Sequence, residues 1–196
     1  ELRQKAMKEL GIELHFNPMG SAAVQQRAAA APQSFDLYEQ WSDSINVLWQ
    51  AGAIQPIDIN RLTYWDEINP LTKTGKIVET AKAGAGDSPN KLLYVQNDGS
   101  LSASPTNMIS YMPYVHNVDS FGYNTNFIDA GKPYETESWG WLLDRSNRGK
   151  VALVNAPTIG IFDAALAVQA KGLMSFKDIG NMTRPEIDEL FKILLK

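Results

Sequence analysis

The sequence predicts an α/β fold, on three observations. Short runs of strand character, at residues 12–16, 35–39 and 150–154, are each followed by a polar turn and then by helical periodicity. Turn residues fall between these runs, as at Asn17 to Gly20 and at Asn155, Ala156 and Pro157. A strongly patterned helix with a sequence-level cap closes the chain.

In chain order, residues 1–10 place Leu2, Ala6, Met7 and Leu10 on one helical face, and Gly11 is a helix stop. Ile12, Leu14 and Phe16 then alternate with Glu13 and His15 as a strand, and Ser21 opens an Ala-rich helix to about Ala31. A second strand at 35–39 follows. A strand, helix, strand order with this crossover length predicts a parallel pair joined in the right-handed sense. Ser42 or Asp43 is placed to cap the next helix, with Ile45, Leu48 and Trp49 inward and Gly52 at its end. Residues 59–68 predict a short helix with Leu62, Trp65 and Ile68 inward, and 71–90 a polar surface excursion.

Residues 92–96 and the stretch from Leu101 onward predict a hairpin turned by Asp98-Gly99. Residues 109–124 alternate large apolar with polar residues, as two strands or one long bent strand would. A short helix over 138–143 carries Trp139, Leu142 and Leu143. The strand at 150–154 leads to a helix ending at Ala170. Thr183 and Glu186 form a capping box with Pro185 in the first turn, before Ile187, Leu190, Phe191, Leu194 and Leu195 repeat on one face. The first helix has no capping residue before it and the last no stop after it, so the natural chain is expected to extend at both ends.

Composition narrows the function classes. With 196 residues, 44% of them hydrophobic, the chain can bury a core. A net charge of −4 with scattered Lys and Arg supplies no basic stripe for a phosphate backbone, so nucleic acid is not an expected partner. The absence of cysteine removes disulfides, thiolate metal sites and Cys nucleophiles. The most apolar stretch, 151–170, is interrupted by Asn155, Pro157 and Asp163, against a membrane span.

Three segments carry a family resemblance. The run from Phe35 to Asp58, ending WQAGAIQPID, resembles the first-lobe segment of type II periplasmic solute-binding proteins of ABC importers, near the spermidine/putrescine-binding group. MPYVHNVDSFGYN, from Met112 to Asn124, is similar to that family's hinge crossing. ESWGWLLDRSNRGKVALVNAP, from Glu137 to Pro157, resembles the stretch that opens its second lobe. The motifs occur in order and cover most of the chain. The resemblance implies a periplasmic-binding-protein-like two-lobe fold, incomplete here, with lobe one at 1–117, lobe two at 118–196 and the crossing near 116–123. It implies a periplasmic, non-enzymatic receptor, monomeric at full length, that delivers a small solute to ABC permease subunits and needs no cofactor or metal.

Under that reading Trp41 offers a flat face for stacking or cation contact, with Ser42 beside it and Asp43 supplying charge or hydrogen bonds. The alternative makes Trp41 a packing residue and Asp43 an N-cap. His116, Asn117 and Asp119 match the start of the hinge strand, where His116 replaces an aromatic residue and Asp119 is a counter-ion for a cationic solute or a local backbone acceptor. Asn155 and Thr158 match a turn that carries acidic residues in polyamine binders. Their amide and hydroxyl beside a helix start suit a carboxylate, phosphonate or zwitterion at least as well, so the solute is polyamine-like, amino-acid-like or phosphonate-like. His15, alone on the polar side of its segment, is expected at the surface.

Enzyme signatures are weak. The sequence holds no G-x-S-x-G, no H-E-x-x-H and no phosphate-binding glycine loop, and no acidic pair stands out by spacing. An effector-sensing domain of a regulator and an enzyme on a similar two-lobe scaffold stay as alternatives.

Overall fold

The structure is a computed structural model, and it describes residues 1–81, 88–116, 119–133 and 135–196. It is a mixed helix and sheet protein, and it divides into two compact units, Glu1–Gln55 and Pro56–Lys196.

In the first unit, helix α1 (Leu2–Leu10) ends where predicted, with Gly11 in the left-handed region at φ 65° and its N–H on the Met7 carbonyl. No α1 residue is buried. Helix α2 (Ser21–Ala30) packs on α3 (Ile45–Gln50), and the buried apolar residues here are Ala28, Ile45 and Leu48. A 3-10 turn, Ser42–Ser44, leads into α3. The predicted strands at 12–16 and 35–39 do not form, and the predicted parallel pair is absent among the described residues. A strand exists only where a neighbour completes its ladder. Here side chains take the backbone partners instead: Arg3 donates to the Leu14 carbonyl, with its guanidinium 5.1 Å from the centre of the Phe16 ring.

The second unit holds a four-stranded antiparallel sheet of two-residue strands: β1 (Ile57–Asp58), β2 (Tyr94–Val95), β3 (Leu101–Ser102) and β4 (Met108–Ile109), in the order β1-β4-β2-β3. The β2–β3 hairpin is the predicted one. Gly99 takes φ 81° and the Asp98 carboxylate accepts from the Ser100 N–H at 2.9 Å. Register places Ile109 opposite both Ile57 and Tyr94, and Leu93, Tyr94 and Ile109 form a core flanked by Ile59, Leu62, Trp65 and Tyr111. The helix predicted at 59–68 is two 3-10 turns, Ile59–Arg61 and Trp65–Glu67. Helix α4 (Pro70–Thr74) follows, its first turn capped by Asn69. Of the strands expected within 109–124, only the end of β4 forms among the described residues.

A second core surrounds α5 (Pro157–Ala170) and α6 (Arg184–Leu194), where Ala165, Val168 and Leu190 are fully enclosed. Against α5 packs the 3-10 helix Trp139–Leu143, where the sequence predicts a short helix, and the Ser138 side chain caps it. Trp139 and Trp141 meet Phe121 edge to face, with centroids 5.3 and 6.1 Å apart. Residues 150–154, expected as a strand, enter no ladder. They run close beside α5 instead: a Cβ on Gly160 would stand 2.6 Å from the Val154 carbonyl oxygen, an approach only glycine permits.

Two outcomes follow. Leu190→Ala should lower stability by about 2–5 kcal/mol in urea unfolding, since Leu190 is completely buried at the α5–α6 contact. The Glu186 carboxylate accepts from the Lys177 N–H at 3.0 Å and the Thr183 N–H at 2.7 Å, bonds that lower its pKa. A depressed folded pKa contributes stability that is present above the unfolded value, near 4.5, and is lost as pH falls through the folded one. Glu186→Gln should therefore melt below the wild type at pH 7, with the two curves converging in acid.

Candidate functional site

Two regions present functional groups to solvent. In the first unit, residues 40–43 form a turn between α2 and α3. Trp41 is 49% exposed, Ser42 is half-buried and Asp43 is exposed. Neither Ser42 nor Asp43 caps a helix with its side chain, which corrects the N-cap expectation. The backbone of Trp41 is held at both ends. Its N–H reaches the Gln40 amide oxygen at 2.9 Å, and its carbonyl accepts from the Ser44 hydroxyl at 2.9 Å.

In the second unit, a cleft of about 370 Å³ opens between the 64–72 stretch and the segment that follows β4. His116 lines it with Tyr64, Glu67, Thr72, Met112 and Tyr114. The rings are on display: Tyr64 is 68% exposed and Tyr114 69%. Exposed phenol rings gathered around a concavity are a recognition feature, since packing would have hidden them. No Lys or Arg lines this cleft, so Glu67 is its one fixed charge. Sequence reasoning found His116 but missed Tyr64 and Glu67. The available signal was the inward assignment of Leu62, Trp65 and Ile68, which leaves 64 and 67 facing out.

The remaining predicted residues scatter around α5. Asn155 lines a separate groove of about 310 Å³ with Leu153, Val154, Ile161, Leu190 and Phe191, an apolar setting unlike the polar crevice expected. Thr158 is exposed in the first turn of α5. Asn117 falls outside the described residues. Asp119 is exposed, and its charge reaches Asp163 on α5. His15 is at the surface as expected, 3.2 Å from Glu13.

Asp163 was not singled out by the sequence reading. Among the described residues four polar residues are buried, and three make side-chain hydrogen bonds: Ser44 to the Trp41 carbonyl, Asn90 from the Ser88 hydroxyl and Ser110 to the Leu92 carbonyl. Asp163, 9% exposed, is the only ionisable one of the four. Burial first, and the Asp119 charge second, raise its pKa. A raised carboxyl pKa means that its charged form weakens the fold at neutral pH. The signal was a carboxylate inside the apolar pattern of 157–170. Among the described residues no three His, Cys, Asp or Glu side chains converge as a metal centre would require, and no helix is long and apolar enough to cross a membrane.

No family model, curated protein or solved structure matches the chain.

Asp163→Asn should raise the melting temperature at pH 7. Its advantage should shrink as pH falls toward the ordinary carboxylate range, where the wild-type side chain takes up its proton and the penalty disappears. Melts between pH 4 and 8 decide this, and a variant less stable than wild type at pH 7 would show that the charge is compensated.

Proposed function

We propose that the protein is the solute-binding component of an ABC importer, capturing a small polar solute in the periplasm for delivery to membrane permease subunits. The observation that carries this reading is the His116 cleft. Its volume is that of a small-molecule site, and its walls combine aromatic faces with a few polar groups. The three ordered motifs of the sequence support the same reading, with lobes at 1–117 and 118–196 and the 116–123 stretch as hinge. In the first unit, taken by itself, the exposed indole of Trp41, with Asp43 uncommitted to capping, stands in the segment that resembles the family's ligand-contacting turn. Capture without chemistry requires only that the bound form differ from the free one in conformation, and the permease reads that difference.

A thermal-shift series with spermidine, L-arginine, L-glutamate and 2-aminoethylphosphonate tests the proposal. A true solute at 100 times its dissociation constant adds about 2.7 kcal/mol of stability. Tyr64→Ala and His116→Ala should each weaken such a hit by roughly tenfold, about 1.4 kcal/mol, while leaving the ligand-free melting temperature nearly unchanged because both side chains are exposed. A hit that both variants bind as tightly as wild type would take the cleft out of the capture site. Turnover of any of these compounds would replace capture by catalysis.

A further inference from the structure

One turn gives the His116 cleft its character. Tyr64 flanks the 3-10 turn Trp65–Glu67, and the Glu67 N–H closes that turn on the Tyr64 carbonyl at 3.1 Å. Side chains three apart in a 3-10 turn eclipse one another. The Tyr64 ring and the Glu67 carboxylate therefore leave the chain on one side, and both line the cleft. Trp65, between them, packs on the sheet core instead.

Charge in the cleft is one-sided. Among the described residues no Lys or Arg lines it, and Glu67 enters none of their ion pairs. The Lys73 ammonium is engaged elsewhere, 5.4 Å from the centre of the Trp65 ring and donating to the Trp65 carbonyl at 3.2 Å. Two polar side chains of the lining are taken up by the start of α4. The Asn69 Oδ1 accepts the Leu71 N–H at 2.9 Å, and the Thr72 hydroxyl donates to the Asn69 carbonyl at 2.8 Å. Beside the His116 imidazole, a guest meets one carboxylate, the exposed Tyr64 and Tyr114 rings and the Met112 thioether.

A carboxylate next to an aromatic face attracts a cation through both its charge and the ring quadrupole. A primary ammonium brings three N–H donors, more than this setting answers, whereas a fully alkylated one brings none and gains apolar contact through its methyl groups. A second positive charge would find no second carboxylate. We infer that the cleft takes a monovalent, alkylated ammonium ion, its charge held between the Tyr64 ring and Glu67. The inference rests on the solute-binding reading above and gives that solute one positive charge and no negative one.

Calorimetric titration of the whole protein at low salt tests it, with tetramethylammonium, propylamine, spermidine and 2-aminoethylphosphonate as probes. Tetramethylammonium should bind more tightly than propylamine, and spermidine should gain nothing over propylamine from its added charges. Glu67→Gln should weaken tetramethylammonium roughly three- to fivefold and remove most of the salt dependence of its binding. Tyr64→Phe keeps the ring face and should retain the affinity that Tyr64→Ala loses. Both side chains are exposed, so these variants keep the fold.

Tetramethylammonium that fails to bind, or binds Glu67→Gln as tightly as wild type, overturns the inference. Spermidine binding roughly tenfold tighter than tetramethylammonium does so as well. Binding of 2-aminoethylphosphonate that Tyr64→Ala abolishes, with no ammonium ion bound, leaves capture at this cleft standing and removes only its cation preference. Tetramethylammonium bound as expected, with propylamine turned over chemically, has the reverse meaning: the preference stands and capture fails.

Discussion

Backbone N–H and C=O groups withdrawn from water must find partners, and around the short strands of this protein side chains supply several of them. Each of its strands is two residues long, so the ladders satisfy few groups. Around them Thr106 donates to the Val95 carbonyl, Gln96 to those of Tyr94 and Ser104, and Ser110 to Leu92. Asn147 reaches the Trp141 carbonyl and Lys73 that of Trp65. Each bond is worth about 1 kcal/mol net, but leaving a buried partner unmet costs about 1–3 kcal/mol. The fold around the sheet therefore depends on polar side chains staying in register with the carbonyls they serve.

The same device builds the candidate site. Where strands do not run on, chain segments end in turns whose shape is set by Gln40, Ser44 and Asn69 rather than by a ladder, and such turns hold aromatic residues outward. Trp41, in the turn held by Gln40 and Ser44, is exposed. Rigid backbone beneath exposed rings is the combination that recognition favours. Asp163 is the counter-case, a largely buried carboxyl whose pKa is raised by burial and by the Asp119 charge. Sites that retain such groups give up stability that a neutral residue would keep.

What could be read in advance follows the range of each interaction. The stops at Gly11 and Gly52, the Thr183–Glu186 box and the Asp98-Gly99 turn are decided within about four residues, and all appear in the structure. The runs at 12–16, 35–39 and 150–154 carry equally clear strand patterns, but a pattern does not supply the neighbour that a strand needs. At 12–16 a residue distant in sequence, Arg3, takes the Leu14 carbonyl instead. Among the candidate residues, Trp41 in the first unit and His116 in the second were legible because an aromatic or imidazole at a turn is conspicuous. Tyr64 and Glu67 were hidden within a segment read only for its inward face, and Asp163 within a helix read only for its apolarity.

Two concavities of the second unit differ in what they can hold. The groove at Asn155 is walled by Leu153, Val154, Ile161, Leu190 and Phe191, so a polar guest there would lose water and regain one amide. Each unmet polar group would cost about 1–3 kcal/mol, enough to cancel the gain from burying several methylenes at about 0.8 kcal/mol each. The His116 cleft offers a carboxylate, an imidazole, a threonine hydroxyl and two phenols beside its apolar contacts. A polar guest would therefore be better matched by the His116 cleft, and an apolar surface by the Asn155 groove.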